Sequence, residues 1–110
     1  MAYDQDLAAR VSRALEGVPG IVEKKMFGGI GYMINGNMAC GVNKNDLIVR
    51  VGAERYQEAL DQPHAGVFDM TGRPMNGWIT VAPAGYTDRR DLERWIKMGV
   101  EFASTLPEKS

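Results

Sequence analysis

Three glycines, Gly28, Gly29 and Gly31, form the stretch of this sequence that most invites a chemical interpretation. Glycine-rich loops can cradle a phosphate with backbone N–H groups when a helix begins directly after them. Here a predicted strand follows, and the Gly-Lys-Ser/Thr ending of a nucleotide-binding loop is absent. We therefore interpret these glycines as positions where strands pack closely or bulge.

The chain has a single thiol, Cys40, and a single imidazole, His64. A nucleophilic cysteine needs a base or a cation beside it, and nothing in the sequence places His64 close to Cys40. One histidine does not make a metal site without several other donors clustered at ligand spacing. We expect a buried, inert thiol, no catalytic residues, no metal and no cofactor.

Two further sets of charged residues could bind anions. Asp69 and Arg73 flank Thr71-Gly72, and residues of this kind more often stabilise their own loop. Four cations fall between positions 89 and 97 on the predicted last helix, but three carboxylates dilute them, which is typical of a solvated face. The seven methionines indicate adaptable packing, either in the core or at a forgiving interface.

A β-hairpin is the structure that the local sequence predicts most strongly. Asn35-Gly36 favours a two-residue type I′ turn, because both central residues of that turn need a positive φ, and apolar strands flank it. Counting outward, Ile34 should face Asn37, Met33 should face Met38, and Tyr32 should face Ala39. Continued further, the same count places Gly31 opposite Cys40, Ile30 opposite Gly41 and Gly29 opposite Val42.

Period-two alternation from this turn assigns the side chains to two faces of a sheet. The face expected to lie under helices carries Met33, Met38, Cys40, Val42, Leu47, Val49 and Val51. The other face is expected to form an interaction surface, and it carries Ile30, Tyr32, Ile34, Ile48 and Arg50. This second face is too apolar to be merely solvated, which indicates contact with a partner protein or a second copy of the chain.

Helices are predicted at both ends of the chain. Apolar residues at helical spacing favour a first helix over about Gln5–Glu16, with Asp4 as its N-cap and Gly17 in a left-handed C-terminal cap. The other predicted elements, in order, are a strand at Ile21–Phe27, a strand at Leu47–Val51, a short helix at Ala53–Leu60, a strand at Trp78–Val81 and a helix from Thr87 or Asp88 to about Thr105. The sequence thus predicts an α+β fold: an antiparallel β-meander sheet of about five strands with helices at both ends packed on one face, as a single domain over residues 1–110.

Composition and charge exclude several classes of protein. Hydrophobic residues make up 45% and charged residues 25%, as in ordinary globular domains. No run approaches the roughly 20 apolar residues of a membrane span, the N-terminus is acidic where a signal peptide would be basic, and the lone cysteine fits a reducing compartment. We expect a cytoplasmic protein. With a net charge of −1, we expect no tight direct DNA binding.

Motifs along nearly the whole chain resemble the N-terminal domain of the TfoX/Sxy family of bacterial competence regulators, here as a standalone form. They are Lys25-Met26-Phe27-Gly28-Gly29 before a hairpin, Leu47-Ile48-Val49-Arg50-Val51, Phe68 with Gly72-Arg73-Pro74-Met75, Trp78 with Val81-Ala82-Pro83, and Asp91-Leu92-Glu93-Arg94-Trp95. The family motif carried over comprises Met26, Phe27, Gly28, Gly29 and Arg73. The resemblance implies an α+β domain, with an antiparallel sheet covered by helices, in a regulatory rather than catalytic role. In longer members a helical domain follows, and the protein co-activates DNA-uptake genes with a cyclic-AMP receptor-type transcription factor.

Two hypotheses of function follow. The leading one is a non-catalytic protein-interaction domain that binds a protein partner, such as a transcription factor, or forms a homodimer. The alternative is a small-molecule-binding domain or a minor enzyme that uses the Gly28-Gly29 and Asp69 to Arg73 loops as a pocket. A deep pocket with convergent polar groups would favour the second hypothesis, and a shallow apolar sheet face would favour the first.

Overall fold

A six-stranded antiparallel sheet organises the chain, in a computed structural model that describes residues 3–26, 28–69 and 72–108. Its strands are β1 (Ile21–Met26), β2 (Gly29–Ile34), β3 (Asn37–Asn43), β4 (Asp46–Arg50), β5 (Ala65–Asp69) and β6 (Pro74–Val81). The helices are α1 (Gln5–Ala14), α2 (Tyr56–Leu60) and α3 (Arg89–Ser104), with a 3₁₀ turn at Pro83–Gly85.

The strand order is β1-β2-β3-β4-β6-β5, so the first four strands form the expected meander, and β6 lies between β4 and the edge strand β5. The predicted α+β class, with an antiparallel sheet and helices at both ends, is confirmed. The sheet has six strands where about five were expected. The difference arises because residues 65–69 pair with β6, although the Gly- and Pro-rich stretch 65–77 predicts a structured loop with at most a short strand at Val67-Phe68.

The turn at the centre of the hairpin is the one that the sequence predicts. Asn35 has a φ of 51° and Gly36 a φ of 82°, as a type I′ turn requires. Next to the turn, Ile34 pairs with Asn37, and Met33 pairs with Met38. The predicted register is therefore confirmed for the first two pairs.

Beyond these pairs the predicted register is wrong by one residue. Tyr32 pairs with Cys40 rather than with Ala39, and Gly31 pairs with Gly41 rather than with Cys40. Ala39 is the extra residue of a β-bulge in β3. A bulge leaves one residue unpaired, and every pair beyond it shifts.

The bulge moves two residues of the expected interaction surface into the core. Tyr32 is fully buried and Ile34 only 4% exposed, so the prediction that they lie on an uncovered face is wrong. The Tyr32 hydroxyl donates a hydrogen bond of 2.9 Å to the carbonyl oxygen of Ala8 in α1. Conversely, Met33 and Met38 were both expected in the core, and this prediction is wrong, because the two paired residues lie on the uncovered face.

Helices α1 and α3 cover one face of the sheet and form the core with it. The buried side chains of this core include Leu7, Val11, Leu92, Trp95 and Ile96 from the helices, and Cys40, Val42, Leu47, Val49, Ile79 and Val81 from the sheet. The predicted cap of α1 is confirmed, since the Asp4 carboxylate accepts from the N–H groups of Asp6 and Leu7. The predicted left-handed cap at Gly17 is wrong, because the positive φ in this connection belongs to Gly20, at 80°.

Helix α3 approaches the bulge closely at Gly99. A Cβ atom built on Gly99 would overlap the carbonyl oxygen of Ala39 and lie 3.4 Å from a methyl group of Val49. Backbone cannot move aside as a flexible side chain can, so a glycine at this point of the helix sets the distance between α3 and β3.

Gly99→Ala should therefore lower the free energy of unfolding, although alanine is the better helix former by about 1 kcal/mol. Forcing an extra carbon into a packed core costs about 1–3 kcal/mol, and here the obstacle is backbone. Urea denaturation gives the measurement. The matched control is Gly17→Ala, where a Cβ meets nothing within 4 Å and stability should stay unchanged or rise slightly. A higher urea midpoint for Gly99→Ala would contradict this packing.

Candidate functional site

The sheet surface opposite α1 and α3, which we call the open face, holds the candidate site. Its position follows from the register, because residues that alternate with the core residues on each strand must point the other way. The open-face residues of the four inner strands include Gly31, Met33, Met38, Gly41, Ile48, Arg50, Trp78 and Thr80.

An apolar recess of about 120 Å³ lies on the open face. Ten residues line it: Met26, Gly29, Ile30, Met38, Val42, Asn43, Ile48, Phe68, Met75 and Trp78. Asn43 is the only residue of the ten with an amide, hydroxyl or charged side chain, and the only other side-chain polar group is the indole N–H of Trp78. The residues come from all six strands, and the edge strand β5 contributes Phe68. The recess is thus a product of the whole sheet rather than of one loop.

Two glycines allow methionine side chains to lie flat on the sheet beside the recess. Gly31 and Gly41 pair across β2 and β3. A Cβ on Gly41 would come within 2.6 Å of the Met38 methyl group, and one on Gly31 within 3.3 Å of the Met26 sulfur. Their role is close packing, as the sequence predicts for Gly31, and the ends of methionine side chains fill the space.

Aromatic rings and a guanidinium group lie close to one another beside the recess. The ring centroids of Phe68 and Trp78 are 6.1 Å apart. The guanidinium carbon of Arg50 lies 5.0 Å from the Trp78 centroid and 5.4 Å from that of Phe102 in α3. Both distances fall within the range of cation–π attraction. Partial burial lowers the pKa of Arg50 from its ordinary value, and the group stays protonated at neutral pH.

Of the predicted interaction surface, Ile48 and Arg50 lie on the open face, and Ile30 lines the recess while it also packs against the core. Tyr32 and Ile34 lie under the helices. The sequence did not single out Met38, Phe68, Met75 or Trp78 as parts of one surface. Apart from the abundance of methionine, no local signal could have grouped them, because strand pairing across distant segments brings them together.

The family-motif residues divide between the recess and its surroundings. Met26 and Gly29 line the recess, and Gly28 has a φ of 76° in the turn between β1 and β2. Arg73 is exposed ahead of β6 and forms no ion pair with Asp69 within the described residues. Phe27 lies outside the described residues.

The open face offers no reactive group among the side chains described. The tyrosine and the thiol whose pKa values are raised to about 12 are Tyr32 and Cys40, and burial is the largest cause for both. Both lie on the helix-covered face. Residues 3–26, 28–69 and 72–108 contain no group of three or more His, Cys, Asp or Glu placed to hold a metal, and no helix among them is long and apolar enough to cross a membrane.

The buried thiol gives a direct test of this assignment. Burial raises the pKa of Cys40 from 9.0 to about 12, so almost no thiolate should form in mildly alkaline buffer. Ellman's reagent should react with the Cys40 thiol of the native protein roughly a hundredfold or more slowly than with the same thiol in concentrated guanidinium chloride. Equal rates in the two conditions would place Cys40 at an accessible site.

Comparison with known proteins identifies one family over most of the chain. The profile of the TfoX N-terminal domain family matches residues 13–103 of the 110. No curated protein matches the chain at a significant level. The matched range begins within α1, contains the whole sheet and its recess, and ends within α3. The chain therefore belongs to the TfoX N-terminal domain family.

Proposed function

We propose that this chain is a non-catalytic regulatory domain that binds a protein partner through the recess of the open face. The family suggests a transcription factor as the partner and a co-activator role in the cytoplasm. The observation that carries the proposal is the recess itself, an apolar hollow with a single amide, hydroxyl or charged side chain, that of Asn43, in its lining.

The size of the recess favours a side chain over a metabolite. Pockets for drug-sized ligands usually measure about 300–1,000 Å³, whereas an apolar cavity of about 150 Å³ holds one benzene molecule. At about 120 Å³ the recess matches one bulky apolar side chain. Protein interfaces concentrate their binding energy in such anchors, which enter well-packed hollows and are surrounded by weaker contacts.

The small-molecule alternative draws support from one observation. Gly29, Phe68 and Met75 all line the recess, so the ends of the two glycine-containing loops meet there. A small-molecule site also needs a few convergent polar groups to orient its ligand. Asn43 by itself does not supply several convergent polar groups, so we rank this function second.

Met75→Asp should abolish partner binding without unfolding the chain, since Met75 is only partly buried and lines the recess. A carboxylate without a partner in an apolar contact costs several kcal/mol, on the order of a hundredfold or more in affinity. The matched control is Val67→Asp, on edge strand β5 outside the recess and 45% exposed in the native protein.

Affinity capture from the native cell with the wild type and both variants, quantified by mass spectrometry, makes the comparison. We expect a set of proteins that the wild type and Val67→Asp retain and Met75→Asp loses, with the thermal midpoints of all three within a few degrees. Should aspartate lower the midpoint, Met75→Gln replaces it. Equal retention by the two variants would contradict docking at the recess.

A further inference from the structure

Among the residues that the structure describes, Arg50 has no anionic partner; it lies on the open face beside Trp78, and its guanidinium also reaches Phe102 of α3. Within residues 3–26, 28–69 and 72–108, no carboxylate lies within 4.0 Å of its guanidinium nitrogens, and no hydrogen bond engages them. The cation–π contacts with Trp78 and Phe102 use the faces of the rings and leave the N–H donors of Arg50 available. A guanidinium carries five such donors, arranged to match a carboxylate.

The position of Arg50 is fixed relative to the recess. Ile48 lines the recess, and Arg50 follows it on the same face of β4, so their Cα atoms lie about 7 Å apart. Trp78 connects the two features, because it lines the recess and also lies 5.0 Å from the Arg50 guanidinium. An extended peptide has the same spacing between alternate side chains.

The charge changes sign along the open face. Asp46 lies on β4 four residues before Arg50, on the same side of the strand, and it lines a second hollow with Asp69 and Lys44, so two carboxylates outnumber one cation there. An acidic group on a partner would be repelled there and attracted at Arg50. The face therefore favours one orientation of an acidic segment that places an apolar side chain in the recess.

We propose that Arg50 and the recess together bind a short segment of a partner protein in which a bulky apolar residue stands within about two positions of an Asp or Glu. This inference rests on the proposed docking function. The apolar side chain fills the recess, and the carboxylate forms a paired hydrogen bond with Arg50. The rings of Trp78 and Phe102 hold the guanidinium in place, so little side-chain freedom is lost on binding.

Selection from a random heptapeptide display library tests the proposal on the full chain. We expect the wild type to enrich Leu, Ile, Phe or Trp next to Asp or Glu. Arg50→Lys should keep the acidic preference, Arg50→Gln should lose it, and Arg50→Glu should reverse it toward Lys and Arg. Met75→Asp should enrich no peptide. Melting curves establish that each variant is folded. If Arg50→Glu is not folded, the loss of acidic preference in Arg50→Gln is sufficient for the test.

A synthetic peptide from the wild-type selection provides the quantitative test. Replacing its acidic residue by Gln or Asn should weaken binding to the wild type about tenfold or more, and should change binding to Arg50→Gln little. With ¹³C-labelled methionine methyl groups, the signals of Met26, Met38 and Met75 should shift on peptide addition. Met98, a buried residue of α3, should not shift and is the internal control.

Two results would overturn the inference, and they are distinguishable. Enrichment of apolar peptides without acidic preference, equal for the wild type and Arg50→Gln, would remove the role of Arg50 and leave the docking function in place. No enrichment by the wild type, with benzene alone shifting the recess methionine signals, would overturn the docking function as well and favour small-molecule binding.

Discussion

One extra residue in β3 determines how both faces of the sheet are composed. Ala39 and Cys40 are consecutive, yet both are fully buried on the helix side, Ala39 beside Ala103 of α3 and Cys40 in the main core. A regular strand would place one of them on each face. The bulge therefore lets β3 present two small side chains to the helices, and Gly99 brings α3 close enough to cover them.

The same shift creates the open face. Past the bulge, Gly41 lies opposite Gly31, so two residues without side chains meet at the centre of the uncovered surface. The ends of the Met26 and Met38 side chains lie over that backbone. Tyr32 lies on the helix-covered face, where its hydroxyl donates a hydrogen bond to the Ala8 carbonyl oxygen of α1. Core packing and the shape of the candidate site thus depend on one local irregularity. Changes that remove the bulge should damage both together.

Local chemistry made much of the fold predictable. The Asn35-Gly36 turn, the Asp4 cap and the alternation of β4 each follow from short-range rules. The register beyond Met33 could not be predicted, because period-two alternation contains no signal for an extra residue, and Tyr32 and Ile34 were placed on the wrong face as a result. The recess could not be predicted for another reason. Phe68, Met75 and Trp78 lie beside Met26 and Met38 only because strands that are distant in sequence pair in the sheet.

Nuclear Overhauser effects from the Tyr32 ring test the bulge in β3 and the burial of Tyr32 under α1. The structure predicts contacts from the ring protons to Ala8 and Ser12 of α1, since the Tyr32 hydroxyl lies 2.9 Å from the Ala8 carbonyl oxygen and 3.3 Å from the Ser12 hydroxyl. It also predicts cross-strand contacts between Gly31 and Gly41. Contacts from the Tyr32 ring to Ile48, together with pairing of Gly31 with Cys40, would contradict the bulge and the open face built on it.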